Sequence, residues 1–275
     1  MHFPIWCFFA TALAVSGQSL QIATPQEIIG NPTSKPEPRR LVATDPVSLY
    51  QRLLSTSLEE RKDGLRLLAH EEIDATEPVE ARLYAVNLDS DSALEYVLVA
   101  TGHVFARTIA LVFDKTGESW YVVGDFSYWW HWDANGAEKF IELRAIVRDG
   151  QKEIILRERS GGTGMAETWL SIYRMQNGSL YRVFRTMEDG FHFIVGVGTS
   201  EYEHRTLEYP DHDLKAPVLL VARHLKRIEP AQEGRRVRVS RDCSVFQWDA
   251  AAFVFVENKA ALPSLCSDHA PGSSK

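Results

Sequence analysis

The feature that most constrains the fold is the composition of the chain from Ala81 onward. From there the sequence consists of short runs rich in Val, Ile, Phe, Tyr and Trp, separated by Gly, Asp and Asn. Runs of this kind predict β-strands joined by turns, and no long stretch after Ala81 has the apolar spacing of an amphipathic helix. The chain is therefore expected to be mainly β.

Two short helices are predicted ahead of the β region. Asp45 followed by Pro46 suits an N-cap and a first helical turn. Ser57 and Glu60 have the spacing of a capping box, which marks a second helix start. We therefore expect one mainly β domain over residues 45–266 that begins with a short N-terminal helical segment.

A weak internal repeat bears on how the strands are arranged. Leu94–Leu98 is followed by Leu111–Phe113, and later in the chain Lys152–Leu156 is followed by Ser171–Tyr173. Each unit combines a Glu, an apolar strand, a loop and an aromatic hairpin. Such a repeat predicts propeller-like units of antiparallel sheet, and a β-sandwich is the main alternative.

The N-terminal residues have the outline of a secretory signal. The stretch from Phe3 to Val15 is almost wholly apolar and gives way to small and polar residues, with Gly17 or Gln18 as the expected start of the mature chain. We assign residues 1–17 to a signal peptide, 18–44 to an extended linker and 267–275 to a flexible tail. The apolar run is shorter than the roughly twenty residues that cross a bilayer, so we expect an exported chain, periplasmic or secreted, without a permanent membrane anchor.

Two cysteines remain once the signal is removed. Cys7 lies inside the apolar run, whereas Cys243 and Cys266 lie close together in the C-terminal region. An exported compartment permits a disulfide between these two, and we predict one. The alternative is a pair of buried free thiols, since cysteine also packs as a small hydrophobic residue.

The charge of the chain limits the class of its partners. Its formal net charge is −7 at pH 7. In the most basic stretch, Arg236 and Arg238 alternate with Val237 and Val239, which is typical of the solvent face of a strand. Because phosphate binding usually rests on a basic surface, nucleic acid is not expected as a partner.

An acidic loop leads into one of the predicted strands. Four side chains with oxygen atoms stand at its first, third, fifth and ninth positions, namely Asn87, Asp89, Asp91 and Glu95. Calcium takes about six to eight oxygen ligands, some of them backbone carbonyls, and a tight loop can supply them. An acidic turn held by its own side-chain hydrogen bonds is the alternative.

This loop resembles the calcium loops of FG-GAP repeats in integrin-type β-propellers. The resemblance implies calcium as the cofactor, with these ligands: the side chains of Asn87, Asp89, Asp91 and Glu95 and the carbonyl of Ala93. The loop departs from the family pattern at Ser92, where a glycine is usual. In the second unit, the spacing around Asp149 does not repeat the pattern.

One segment is unusually rich in tryptophan, and it contains Trp129, Trp130 and Trp132. Neighbouring residues of a strand point to opposite faces, so at least one face of this segment is expected to contact solvent unless it is covered. Exposed aromatic side chains stack on sugars, peptides or protein partners, and we predict ligand binding here. The alternative is that these rings fill the space between sheets.

Together these features favour a binding protein over an enzyme. Neither a nucleophile elbow nor a catalytic triad can be identified from the sequence, so no catalytic residue is assigned. We expect an exported, non-catalytic binding or interaction module, stabilised by calcium, with a protein or carbohydrate as its ligand. The rival is an extracellular polymer-degrading hydrolase or lyase that uses paired carboxylates.

Overall fold

Two helices and thirteen strands make up the part of the chain that the structure, a computed structural model, describes: residues 35–70, 74–76, 79–102, 107–129, 141–162, 164–194, 198–209, 217–230, 236–261 and 265–266. The helices are α1 (Pro46–Leu53) and α2 (Leu58–Leu68). The strands are β1 (Arg40–Val42), β2 (Val79–Val86), β3 (Glu95–Gly102), β4 (Arg107–Thr116), β5 (Ser119–Trp129), β6 (Ile141–Arg144), β7 (Glu153–Gly162), β8 (Met165–Gln176), β9 (Ser179–Ile194), β10 (Thr199–Glu208), β11 (Leu219–Pro230), β12 (Arg238–Asp249) and β13 (Val254–Glu257). The predicted fold class, mainly β with a short N-terminal helical segment, is confirmed.

The strands form two antiparallel sheets. The first has the order β1-β5-β4-β3-β2, and the second has the order β13-β12-β11-β10-β9-β8-β7-β6. Apart from β1, neighbouring strands follow one another along the chain, as expected when hairpin connections build a sheet. Of the two arrangements that the sequence left open, two packed antiparallel sheets are consistent with the sandwich.

One core lies between the two sheets. Buried residues of β2 to β5, such as Val97, pack there against residues of β6 to β9, such as Ile154. The rings of Phe126 and Tyr173 meet across this layer with their centroids 4.8 Å apart. An aromatic pair at that distance adds about 1 kcal/mol to the free energy gained by burying the rings.

The two helices cover the other face of the first sheet. Their buried leucines, Leu49, Leu53, Leu65 and Leu68, form a second core with strand residues such as Phe113. This spacing of leucines is the apolar stripe of an amphipathic helix. The first sheet is therefore covered by apolar packing on both of its faces.

The helix starts follow the capping residues in the sequence. The Asp45 side chain accepts a hydrogen bond from the Ser48 amide at 2.9 Å at the start of α1. The Ser57 hydroxyl accepts one from the Glu60 amide at 3.4 Å at the start of α2. Each cap satisfies an amide that has no partner within its own helix.

The second sheet folds over a third core. Leu170 of β8 and Phe184 of β9 pack there with Leu220 of β11 and Phe246 of β12. The Phe184 and Phe246 rings meet edge to face, with centroids 5.0 Å apart. Since β8 and β12 are separated by three other strands in the sheet order, the long sheet must curl to bring these residues together.

The last residues of the predicted linker are part of the folded domain. Pro36 bridges to Tyr181 of β9, and the Glu37 amide donates a hydrogen bond to the Leu180 carbonyl at 2.8 Å. A few residues later, β1 pairs with β5 of the first sheet. Residues 36–42, here called the N-terminal strap, therefore contact both sheets. Residues 1–34 and 267–275, which include the predicted signal and tail, lie outside the described residues.

A disulfide joins Cys243 to Cys266, as the sequence predicts. Their Cα atoms are 5.9 Å apart, which is within the usual range for a bridge. The bridge attaches a short C-terminal segment to β12, and Arg223 of β11 donates to the Leu265 carbonyl of the same segment at 3.3 Å. Neither described helix has the length and apolar character that a membrane span requires.

We expect the double variant Cys243→Ser, Cys266→Ser to have a free energy of unfolding about 3 kcal/mol below that of the wild type, because the bridge restricts the unfolded chain. The bridged cysteines are separated by 23 positions in the sequence. Urea denaturation of both oxidised proteins measures the difference. Reduced wild type is the control and should match the double variant, whereas identical curves for oxidised and reduced wild type would contradict the prediction.

Candidate metal centre

The acidic loop connects β2 to β3 and is held by both sheets. Leu88 is buried in the core between the sheets, and Glu95 begins β3. Just ahead of β7, Lys152 donates its amide to the Asn87 carbonyl at 3.0 Å. The position of the loop therefore depends on the packing of one sheet against the other.

Three carboxylates organise the backbone of this loop. Asp89 accepts the Asp91 amide at 2.9 Å, and Asp91 accepts the Ala93 amide at 2.7 Å, as in Asx turns. Glu95 Oε2 accepts the Leu88 amide at 2.6 Å and so joins the two ends of the loop. One oxygen of each carboxylate is thus engaged by the backbone of the loop itself.

The same three side chains converge. Asp89, Asp91 and Glu95 each offer a carboxylate oxygen, and these oxygens all lie within 4.8 Å of one another. Asp89 and Glu95 are buried, whereas Asp91 is exposed. Within the described residues, these carboxylates have no Lys, Arg or His nitrogen within the 4.0 Å of an ion pair. The cluster therefore concentrates negative charge without a side-chain cation.

Glu95 has one carboxylate oxygen without a hydrogen-bond partner in the described part of the chain. The Glu95 side chain is 0% exposed, yet its Oε1 is unpaired among the described residues. The Oδ1 of Asn87 is also buried without a partner among them. An unpaired buried polar group costs about 1–3 kcal/mol, and more when it is charged. A cation bound between the carboxylates would satisfy the Glu95 oxygen.

The pKa of Glu95 is raised to about 7. Burial is the largest cause; the hydrogen bond from the Leu88 amide opposes the shift, and the negative charges of Asp89 and Asp91 add to it. Without a cation, the protonated form of Glu95 therefore persists up to about pH 7. A cation that binds to its carboxylate must displace that proton.

The donor set fits a hard cation. Carboxylate and amide oxygens are the ligands that calcium prefers, whereas zinc sites are usually built from His and Cys. Calcium accepts irregular shells that backbone carbonyls and water complete, but magnesium demands a smaller, near-octahedral shell. The carboxylates of Asp89, Asp91 and Glu95 could therefore hold a metal ion of this kind.

The five predicted ligands differ in how the structure places them. Three of them, Asp89, Asp91 and Glu95, come together. Asn87 lies in the same loop, where its side-chain nitrogen donates to the Asp91 carbonyl at 3.3 Å. Ala93 is tied to Asp91 through its amide, and ligation by its carbonyl stays a prediction.

The predicted aromatic ligand site lies largely outside the described residues. Trp129 is the last residue of β5, but its side chain is not among the described parts, and neither Trp130 nor Trp132 is described. Ligand binding by these three residues stays a prediction.

The second unit of the internal repeat contains a related loop that the sequence alone did not reveal. Glu153 begins β7 as Glu95 begins β3, and Glu153 Oε2 accepts the Ile146 amide at 2.6 Å, again from seven residues earlier. Asp149 also precedes Glu153 by the same interval that separates Asp91 from Glu95. The spacing around Asp149 therefore repeats that of the first loop in part. The sequence feature that indicates the relation is Glu153, which follows Asp149 as Glu95 follows Asp91.

A buried guanidinium lies in this second loop. Arg174 of β8 binds the carboxylates of Glu153 and Asp149 and donates to Gln151 Oε1 at 2.9 Å. Burial raises the pKa of Glu153, whereas the Ile146 amide and the Arg174 charge oppose that shift. Both loops thus contain a fully buried glutamate, but only the second has a side-chain cation among the described residues.

In the absence of metal, we expect Glu95→Gln to stabilise the protein at pH 8 by about 3 kcal/mol and much less at pH 5. The pKa of Glu95 in the fold, about 7, lies above its ordinary value of 4.5, so wild-type stability falls as the pH rises through this window. Glutamine carries no charge and avoids that loss. Urea denaturation in chelator at both pH values measures the effect.

The matched control is Glu153→Gln in the second loop. There Arg174 opposes the rise in the pKa of Glu153, and neutralising the carboxylate removes a partner of that buried guanidinium. Glu153→Gln should therefore gain less stability relative to the wild type between pH 5 and pH 8 than Glu95→Gln does. Equal stability of Glu95→Gln and the wild type at pH 8 would contradict the prediction.

Comparisons with known proteins do not assign this chain to a family. No family model, curated protein or solved structure matches the chain.

Proposed function

We propose that this chain is an exported, non-catalytic binding or interaction module whose acidic loop binds calcium. The observation that carries the proposal is the fully buried Glu95, whose Oε1 is unpaired among the described residues and whose carboxylate lies within 4.8 Å of those of Asp89 and Asp91. A divalent cation would satisfy the unpaired oxygen and relieve the repulsion among the three charges. The resemblance of the loop to FG-GAP calcium loops supports the same metal.

The hydrogen bonds of the loop support a structural ion rather than a catalytic one. Asp89, Asp91 and Glu95 each hold a backbone amide of the loop, so an ion bound to them would fix the loop conformation. Through the bond from Lys152 to Asn87, that order would extend to the contact between the sheets. Calcium would then stabilise the contact between the two sheets.

The disulfide between Cys243 and Cys266 supports the proposal of export, because such bonds persist in oxidising compartments. Protein recovered from outside the cytoplasm should begin near Gly17 or Gln18 when its N-terminus is sequenced. Recovery of that fraction with Met1 retained would contradict the predicted signal peptide.

We expect calcium to raise the melting temperature of the wild type. At a free calcium concentration about a hundred times the dissociation constant, the folded state gains about 2.7 kcal/mol. Magnesium should have a much smaller effect. Calorimetry in calcium, in magnesium and in chelator measures the shift, and a wild-type melting curve that is the same in calcium and chelator would contradict calcium binding.

The variant Asp89→Ala, Asp91→Ala should lose the calcium-dependent shift. In chelator, the loss of two amide hydrogen bonds and the relief of charge repulsion act in opposite directions on its stability, so the calcium-dependent shift of the melting temperature is the readout. Asp149→Ala in the second loop is the matched control. It breaks the ion pair with Arg174 and should lower stability equally in calcium and in chelator, leaving the calcium shift intact.

A further inference from the structure

The residue opposite each buried glutamate differs in charge between the two loops. The register of β3 and β4 places Glu95 opposite Asp114, one position beyond their last paired residues. The register of β7 and β8 places Glu153 opposite Arg174 in the same way. Directly opposite residues of antiparallel strands share a face, so each of these side chains lies beside its loop.

Arg174 reaches loop positions that correspond to metal ligands in the first loop. Counted back from the glutamates, Asp149 takes the place of Asp91 and Gln151 the place of Ala93. Arg174 contacts both Asp149 and Gln151 as well as the glutamate of its own loop. A guanidinium presents five N–H donors and can therefore serve several oxygens at once, as a metal ion does.

Asp114 gives the corresponding position of the first loop a negative charge. It is buried, and burial raises its pKa, with the charges of Asp89 and Asp91 adding to the shift and Arg39 opposing it. Arg39 of the N-terminal strap lies 3.3 Å from the Asp114 carboxylate. Among the described residues, Arg39 forms no ion pair with the loop carboxylates themselves. The first loop therefore has acid where the second has its arginine.

We infer that the residue opposite the buried glutamate decides where each loop obtains its cation. Arg174 supplies the cation of the second loop from the chain, whereas Asp114 leaves the first loop to a metal ion. The second loop is thus a latent calcium site that is closed by its own arginine. This inference rests on the proposed function, because it takes the first loop to bind calcium.

Arg174 and Asp114 each lie close to a turn that comes later in the chain. The Arg174 guanidinium lies 5.4 Å from the Trp248 ring and 5.8 Å from the Phe253 ring, which flank the turn between β12 and β13. A Cβ added at Gly178, in the turn between β8 and β9, would lie 3.0 Å from Asp114 Oδ2. A cation at either loop therefore acts at a contact between successive groups of strands.

The test counts calcium ions by equilibrium dialysis with purified, folded protein. The wild type should bind one ion per chain at this pair of loops, and Arg174→Asp should bind two, because the oxygens of Glu153, Asp149 and Gln151 then lack the guanidinium that they share. Adding Asp89→Ala and Asp91→Ala to Arg174→Asp should return the count to one and so place the remaining ion in the second loop. Arg174→Asp that is folded in calcium and binds one ion would overturn the inference.

Asp114→Asn provides an independent measurement if Arg174→Asp does not fold. This substitution keeps the shape of the side chain and removes one charge beside the first loop, so calcium affinity should fall about tenfold. Unchanged affinity in a folded Asp114→Asn protein would overturn the inference. A wild type that binds no calcium would contradict the proposed function itself, which separates the two failures.

Discussion

The fold depends on a buried carboxylate that closes a loop onto the strand that follows it. Glu95 and Glu153 each accept a backbone amide from seven residues earlier, at 2.6 Å in both loops. Those amides belong to Leu88 and Ile146, which are buried in two different cores. The same hydrogen bond thus anchors two successive loops to the hydrophobic interior.

A buried carboxylate creates an electrostatic requirement as well as a structural one. Moving an ion out of water costs several kcal/mol even after relaxation, so a buried charge needs a counter-charge or a proton. In the second loop, the chain itself supplies the counter-charge through Arg174. In the first loop, none of the described side chains supplies a cation to the carboxylates, so the requirement links folding to the protons and metal ions of the solution.

Local sequence patterns were sufficient to predict features that depend on residues close together in the chain. The strand texture, the caps Asp45 and Ser57 and the acidic loop all lie within short stretches, and the structure contains each of them. Features that depend on strand register could not be identified in this way. Arg174 follows Glu153 by 21 positions, and nothing local marks it as its partner. The N-terminal strap was expected to be a linker because its proline-rich composition does not indicate which remote strands it contacts.

The N-terminal strap also sets an order of assembly. Its residues Pro36 and Glu37 leave the ribosome early, but their partners Tyr181 and Leu180 are made only after the whole first sheet and the first strands of the second. Contacts between residues so distant in sequence form slowly, because a long loop must be closed first. The N-terminal strap, which is made before either sheet, therefore completes its docking only after β9 is made, although β1 can cover the edge of β5 as soon as the first sheet forms.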